Sequence, residues 1–206
     1  TGIEAGDNVV IALPAAAEDL AVALHEVVGD RGANPVYLHN SDRASRAFLR
    51  AREEFETPSH QLALFEETDV FVLARGGANV SEKADVDPET NAAYRRAFKP
   101  VQEERLEKRW CLTQYPTSGH AHLAGMSTET YQNFVWDAVT LDWEAQRDHQ
   151  DRMVEILDPA DEVRIRSGEE TDVTMSIAGN HTLNDHGEHN LPGGEVFTAP
   201  VRDSVE

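Results

Sequence analysis

The chain of 206 residues has a single cysteine, Cys111, and few lysines. One cysteine excludes an internal disulfide bond and any zinc site that is built from several cysteines. Cys111 lies in the apolar run Trp110-Cys111-Leu112. A catalytic thiol needs neighbours that stabilise its thiolate, so the apolar setting favours a buried, small hydrophobic side chain.

Long hydrophobic runs are also missing. No stretch approaches the roughly 18 consecutive apolar residues of a membrane-spanning helix, and the amino terminus, Thr1-Gly2-Ile3-Glu4, has no basic and then apolar signal segment. With 40% hydrophobic residues, the chain can still form a globular core. We therefore expect a globular, cytoplasmic protein that has no membrane partner.

Basic residues are scarce relative to acidic ones. The 38 aspartates and glutamates outnumber the 18 lysines and arginines, so the formal net charge is −20. Such a surface repels phosphate backbones and anionic lipids, which argues against nucleic-acid and membrane-surface binding. Concentrated salt screens this self-repulsion, because the Debye length is about 3 Å at 1 M. We interpret the composition as halophilic adaptation; an ordinary acidic domain is the alternative.

Short apolar segments alternate with stretches of helical periodicity along most of the chain. We predict strands at about 8–13, 35–39, 69–74 and 110–115, and helices at about 17–28, 42–55, 59–67, 88–108, 128–141 and 143–157. Strands that alternate with helices indicate a parallel sheet with helical crossovers. The predicted fold class is therefore α/β, with an amino-terminal Rossmann-like domain.

From Asp158-Pro159 onward the pattern changes to β. Segments 162–166 and 171–177 flank the turn Ser167-Gly168-Glu169-Glu170 and predict a hairpin. We expect residues 1–158 to form the α/β domain and residues 159–206 to begin a second, β-rich domain. Unpaired strand edges in that segment predict association or local disorder unless a partner covers them.

A loop with two adjacent glycines, Arg75-Gly76-Gly77-Ala78-Asn79, follows the third predicted strand. Open parallel sheets usually bind ligands at the carboxyl ends of their strands, so this loop is a candidate small-ligand site. It lacks Gly-x-Gly-x-x-Gly spacing and a phosphate-seeking lysine. The favoured interpretation is therefore a turn whose glycines only relax the backbone.

Three histidines, His181, His186 and His189, lie in a polar loop together with acidic residues. Imidazole and carboxylate are suitable ligands for zinc, cobalt or manganese. The spacing nevertheless does not match a helical zinc motif such as His-Glu-x-x-His. Surface histidines are the favoured interpretation, and metal ligation is the alternative.

A second histidine pair, His120 and His122, shares one face only if this segment is extended. No acidic residue or cysteine is close enough in sequence to complete a metal site with them. Surface histidines in a loop are again the favoured interpretation.

Residues 190–200, Asn-Leu-Pro-Gly-Gly-Glu-Val-Phe-Thr-Ala-Pro, combine a tight turn with a short alternating strand. Pro-Gly-Gly bends the backbone, the strand begins at Glu195, and Pro200 ends it. The pattern places a single carboxylate at the mouth of a tight bend, which is a common way of presenting a metal-binding glutamate.

This motif resembles the first metal-ligand motif of the metalloaminopeptidase family typified by aminopeptidase T and aminopeptidase S. Segments 115–117, 126–131 and 171–179 extend the likeness in the family's order, so it covers essentially the whole chain. It implies a hydrolase that removes amino-terminal residues from peptides, with two divalent metal ions of the zinc, cobalt or magnesium type. It also implies that Glu195 is a metal ligand and that the enzyme is a homodimer.

The resemblance covers only the front half of that family. The family's other ligands, a second glutamate, histidines, an aspartate and a tyrosine, would lie beyond Glu206, so we expect an amino-terminal fragment that holds no metal firmly and is inactive alone. No catalytic residue can be named within it. The alternative from another class is a non-catalytic α/β module that binds a small ligand at the loop 75–79 and a partner through its β segment.

We expect the melting temperature of the chain to rise when KCl increases from about 0.1 M to about 3 M, because salt screens repulsion among the acidic side chains. Thermal unfolding followed by circular dichroism measures this change. Chloride is the appropriate anion, since sulfate strengthens apolar burial in most proteins whatever their charge. A melting temperature that stays constant or falls would rule out halophilic adaptation.

Overall fold

The computed structural model describes residues 1–205, and the chain divides into two compact units, Thr1–Val139 and Thr140–Glu206. The helix that begins at Trp143 belongs to the second unit. The predicted domain boundary after residue 158 stays a prediction.

The first unit contains four strands and six α-helices, which alternate along the chain: β1 (Asn8–Pro14), α1 (Glu18–Asp30), β2 (Asn34–Asn40), α2 (Asp42–Arg50), α3 (Ser59–Glu66), β3 (Val70–Arg75), α4 (Pro88–Glu107), β4 (Arg109–Gln114), α5 (Ser118–Leu123) and α6 (Thr128–Val139). The four strands form a parallel sheet in the order β2-β1-β3-β4. This confirms the α/β class that the alternation predicted.

Strand β1 forms the centre of the core, because it pairs with β2 on one edge and with β3 on the other. Its residues after Asn8 are all buried, as the continuous apolar run predicts for a strand that is covered on both faces. Val9, Ile11 and Leu13 pack with α1, whereas Val10 and Ala12 pack in a cluster with side chains from α3 and β4.

Side-chain caps explain where several helices begin. Ser41 Oγ accepts a hydrogen bond from the Ala44 amide at 3.2 Å at the start of α2. Asp87 Oδ1 accepts one from the Glu89 amide at 2.8 Å at the start of α4, where Pro88 is the first helical residue. Such residues supply acceptors for the otherwise unpaired amides of the first helical turn.

Two local predictions in the first unit were wrong. Helix α2 ends at Arg50, short of the predicted end at residue 55, and Phe55 instead packs its ring against Phe48 and Tyr94, with ring centroids 5.8 and 5.6 Å apart. The segment with His120 and His122, which was predicted as a loop, contains the helix α5. His120 and His122 are therefore helical, and two positions apart on a helix do not share a face.

The second unit contains one helix followed by short strands: α7 (Trp143–Leu157), β5 (Glu162–Ser167), β6 (Thr171–Ser176), β7 (Leu183–Asp185), β8 (Asn190–Leu191) and β9 (Glu195–Phe197). Strands β5 and β6 form the predicted antiparallel hairpin, and β7 pairs antiparallel with β9. The predicted strand after the Pro-Gly-Gly turn is confirmed, whereas β7 lies in a segment predicted as loop. Over residues 1–205, no helix is both long and apolar enough to cross a membrane.

Candidate functional site

The predicted ligand Glu195 is the first residue of β9, directly opposite Asp185 of β7. Residues directly opposite in an antiparallel pair have their side chains on the same face of the ribbon. The pairing therefore places two carboxylates side by side. Glu195 is exposed, whereas Asp185 is half-buried.

The turn before β9 is built on two glycines that no other residue can replace without strain. A Cβ at Gly193 would lie 2.5 Å from the Gly187 nitrogen and 2.7 Å from the Asp185 carbonyl oxygen, closer than real Cβ atoms approach. Gly194 has a φ of +106°, in a region that residues with a side chain rarely adopt. The Pro-Gly-Gly motif is thus required by close backbone packing as well as by the bend.

Asp185 holds both ends of the loop that precedes β9. Its Oδ1 atom accepts a hydrogen bond from the Gly187 amide at 3.3 Å, and its carbonyl oxygen accepts one from the Gly194 amide at 2.6 Å. Within residues 1–205, the Glu195 carboxylate by contrast forms no hydrogen bond or ion pair. The two carboxylates therefore differ, because Asp185 is hydrogen-bonded within the loop and the Glu195 carboxylate has no partner among residues 1–205.

The side chain of Gln150, in α7, holds the two-stranded ribbon that β7 and β9 form. It is only 5% exposed, and its Nε2 donates to the Glu195 carbonyl oxygen at 2.8 Å and to the Asp185 carbonyl oxygen at 3.2 Å. One amide group thus ties α7 to both strands at the pair that carries the two carboxylates. No sequence pattern indicated this role, since a glutamine in an amphipathic helix is usually solvated.

A second polar contact from α7 reinforces this position. Asn184, next to Asp185 in β7, donates from its Nδ2 atom to Asp151 Oδ1 at 2.7 Å. Together with Gln150, this contact holds the backbone of the ribbon in place, so the position of the Glu195 Cα atom is fixed. A site built on such supported backbone holds its ligand groups accurately.

The loop histidines do not join Glu195 in a cluster. His186 Nε2 lies 3.6 Å from Glu188 Oε2, and His181 is exposed. Among residues 1–205 there is no group of three or more His, Cys, Asp or Glu side chains that could hold a metal ion. A catalytic zinc typically takes three protein ligands, so Glu195 fits as one carboxylate ligand but the described residues do not complete a site.

The other candidates from the sequence lie in the first unit. Cys111 is half-buried in β4, where burial raises the pKa of its thiol and disfavours the reactive thiolate. His122 is exposed. The loop 75–79 borders a cleft of about 600 Å³, and His120 lines the same cleft. The structure thus brings His120 and this loop together, although they are far apart in sequence.

The parallel α/β unit and the β segment with Glu195 after its Pro-Gly-Gly turn agree with what the resemblance of the sequence motifs to metalloaminopeptidases implies. The model of the thermophilic metalloprotease (M29) family matches residues 1–206, and the chain belongs to that family. The resemblance found in the sequence motifs is thereby confirmed.

One solved structure with a similar fold is wild-type AmpT from Thermus thermophilus. It is 24% identical in sequence, with a TM-score of 0.79, and the match covers 98% of this chain and 59% of that chain. The chain thus spans less than two thirds of the length of this structural relative. No curated protein matches the chain significantly.

Replacing Gln150 by methionine should loosen the ribbon, because the carbonyl oxygens of Glu195 and Asp185 each lose the hydrogen bond from Gln150 while the side-chain volume is conserved. We expect amide hydrogen exchange in residues 183–197 to speed up by about 10-fold, which corresponds to about 1.4 kcal/mol of local opening free energy. Mass spectrometry of exchanged peptides measures this. Gln146→Met, one turn earlier in the same helix, is the control and should leave exchange unchanged; equal exchange in the wild type and Gln150→Met would contradict the role of Gln150.

Proposed function

We propose that this chain is the amino-terminal part of a dinuclear-metal aminopeptidase, which hydrolyses the first peptide bond of peptides. The observation that carries the proposal is the metalloprotease family match over the whole chain. The sequence motif 190–200, which resembles the first metal-ligand motif of the aminopeptidases in that family, narrows the activity to the amino terminus of the substrate.

Glu195 is the metal ligand in this proposal. Three observations support it: its carboxylate is exposed, its backbone is held by Gln150 and by pairing with β7, and within residues 1–205 no other side chain engages it. A ligand that is fixed in its backbone and unpaired in its side chain needs little rearrangement to bind a cation.

Asp185 supports Glu195 without being a ligand. One of its carboxylate oxygens accepts a hydrogen bond from the Gly187 amide, so this oxygen is engaged within the loop. Its negative charge next to Glu195 still favours a nearby cation, because two carboxylates on one ribbon face lower the electrostatic potential there. In this proposal Glu195 coordinates the metal ion, whereas Asp185 supports the loop and the local negative charge.

Two metal ions, when bound, activate a water molecule and polarise the scissile carbonyl. Glu195 contributes one ligand to such a pair, and the resemblance implies that the family's other ligands complete it. Within residues 1–205 fewer than three ligand groups meet at Glu195, so we expect this segment by itself to hold no metal pair firmly and to be inactive. We further propose a halophilic surface, which the strongly acidic composition supports, and a cytoplasmic homodimer, in which the homodimer is what the family resemblance implies.

The alternative function is a non-catalytic binding module, and the cleft at the loop 75–79 is the observation that favours it. The two functions differ in what the gene encodes after codon 206. An open reading frame that adds glutamate, histidine and aspartate ligands supports the peptidase. A stop codon at that point would instead support the non-catalytic binding module.

In the full-length enzyme, Glu195→Gln should remove a ligand charge while keeping the side-chain shape. We expect the metal content per subunit to fall by about one ion and kcat/KM for an amino-acid p-nitroanilide to fall by more than about 100-fold. Elemental analysis and a chromogenic assay measure these two quantities.

Glu188→Gln is the matched control, because Glu188 is exposed in the loop before β9 and undergoes the same loss of charge. It should change metal content and kcat/KM by less than about 2-fold, since surface charges contribute little. A Glu195→Gln enzyme with two metal ions and wild-type kcat/KM would contradict the assignment of Glu195 as a metal ligand.

A further inference from the structure

A cleft of about 600 Å³ opens in the first unit at the carboxyl ends of β1, β2 and β3. From β1 the chain runs to β2 on one edge and then returns to β3 on the other edge. This is a topological switch point, the place where open α/β sheets bind ligands. The volume is in the range of small-molecule sites, about 300–1,000 Å³.

One wall of the cleft, residues 79–83, is tied to helix α2 by ion pairs. Lys83 Nζ lies 2.8 Å from Asp42 Oδ1. Asp85, two residues further on, accepts a hydrogen bond from Arg46 Nε at 2.7 Å and lies 3.0 Å from Arg50 Nη1. Hydrogen bonding to Arg46 lowers the pKa of Asp85 to about 2, so the pairs with α2 stay charged at neutral pH.

The opposite side of the cleft is fixed by direct packing of backbone on backbone. A Cβ at Gly119 would lie 2.6 Å from the Gly77 carbonyl oxygen and 2.8 Å from the Ala78 carbonyl oxygen. Thr117 Oγ1 donates to that Gly77 oxygen at 2.7 Å. The loop after β3 and the start of α5 are therefore held together without room for any side chain between them.

The same hydroxyl determines which nitrogen of His120 carries a proton. Thr117 has one hydroxyl hydrogen and donates it to Gly77, so its oxygen accepts from His120 Nδ1, which is 3.0 Å away. In the neutral ring, Nε2 is then the acceptor. Because His120 lines the cleft and Nδ1 is engaged, Nε2 is the nitrogen that is left to meet a ligand there.

The charges around the cleft have both signs. Arg75 and Lys83 are cationic, and Asp42 and Glu82 are anionic. The Lys83 and Asp42 side chains are 45% and 44% exposed, so their ion pair is not sealed. A purely anionic ligand would meet the two carboxylates, and a purely cationic ligand would meet the two basic groups.

We propose that this cleft binds a small zwitterion, a molecule with one ammonium and one carboxylate group, such as a free α-amino acid. Lys83 and Arg75 donate to the carboxylate of the ligand. Asp42 and His120 Nε2 accept from its ammonium group. Charge-assisted hydrogen bonds of this kind are stronger than neutral ones, and a ligand with both charges uses all four groups.

This proposal does not rest on the peptidase activity. All of the residues that it uses lie in the first unit, whereas Glu195 lies in the second. A failure of either proposal therefore leaves the other one standing.

Amide NMR spectra of the 206-residue chain test the proposal with L-leucine as the probe. We expect saturable shifts at the amides of Gly76, Gly77 and Gly119. L-leucinamide, which keeps only the ammonium, and 4-methylpentanoate, which keeps only the carboxylate, should each bind at least about 10-fold more weakly. No saturable shift at these amides, or equal binding of either analogue, would overturn the proposal.

Two variants locate the contacts. Lys83→Met should weaken L-leucine binding by at least about 10-fold, whereas Lys99→Met, the same charge loss at an exposed lysine of α4, should leave it unchanged. His120→Asn keeps a donor for Thr117 but removes Nε2, so it should weaken binding while the melting temperature stays within about 2 °C of the wild type. Wild-type affinity in either cleft variant would contradict the proposal.

Discussion

Backbone segments approach each other at two places in this protein so closely that no side chain fits between them. At Gly193 the contact is with Gly187 and Asp185, and at Gly119 it is with Gly77 and Ala78. The first contact sets the turn from which Glu195 emerges, and the second joins the loop after β3 to the start of α5. Both candidate sites depend on this constraint, because it fixes backbone positions that loops alone would leave variable.

In each of the two sites, one polar side chain also holds neighbouring backbone segments together. Gln150 ties α7 to both strands of the β7–β9 ribbon, and Thr117 bonds to the loop after β3 and to His120. Each of these side chains satisfies buried backbone acceptors, which are costly to leave unpaired. Each also leaves one group available to a ligand, the Glu195 carboxylate in the ribbon and His120 Nε2 in the cleft.

In this acidic chain, several basic side chains form ion pairs that join separate segments. Lys83 pairs with Asp42 at the cleft, and Arg46 and Arg50 both bind Asp85. In a chain with a net charge of −20, cations placed at such points reduce local repulsion and also fix segments of the backbone. The surrounding negative charge favours the binding of cations, including metal ions.

Most elements of the fold could be predicted from the sequence, because apolar runs and capping residues act locally. The apolar run that forms β1 is an example. Strand β7 and the roles of Gln150 and His120 could not be predicted, since each depends on a partner far along the chain. Helix α5 was missed because Pro116 and Gly119 favour a break, whereas tertiary packing requires glycine at that helical position.

The function proposed for this protein depends on Glu195 acting as a metal ligand on a supported ribbon. Anomalous diffraction from crystals of the full-length enzyme containing zinc tests it most directly. We expect a zinc ion about 2.0–2.2 Å from a carboxylate oxygen of Glu195, with Gln150 still bonded to the carbonyl oxygens of the ribbon. A zinc site that is complete without Glu195 would contradict it.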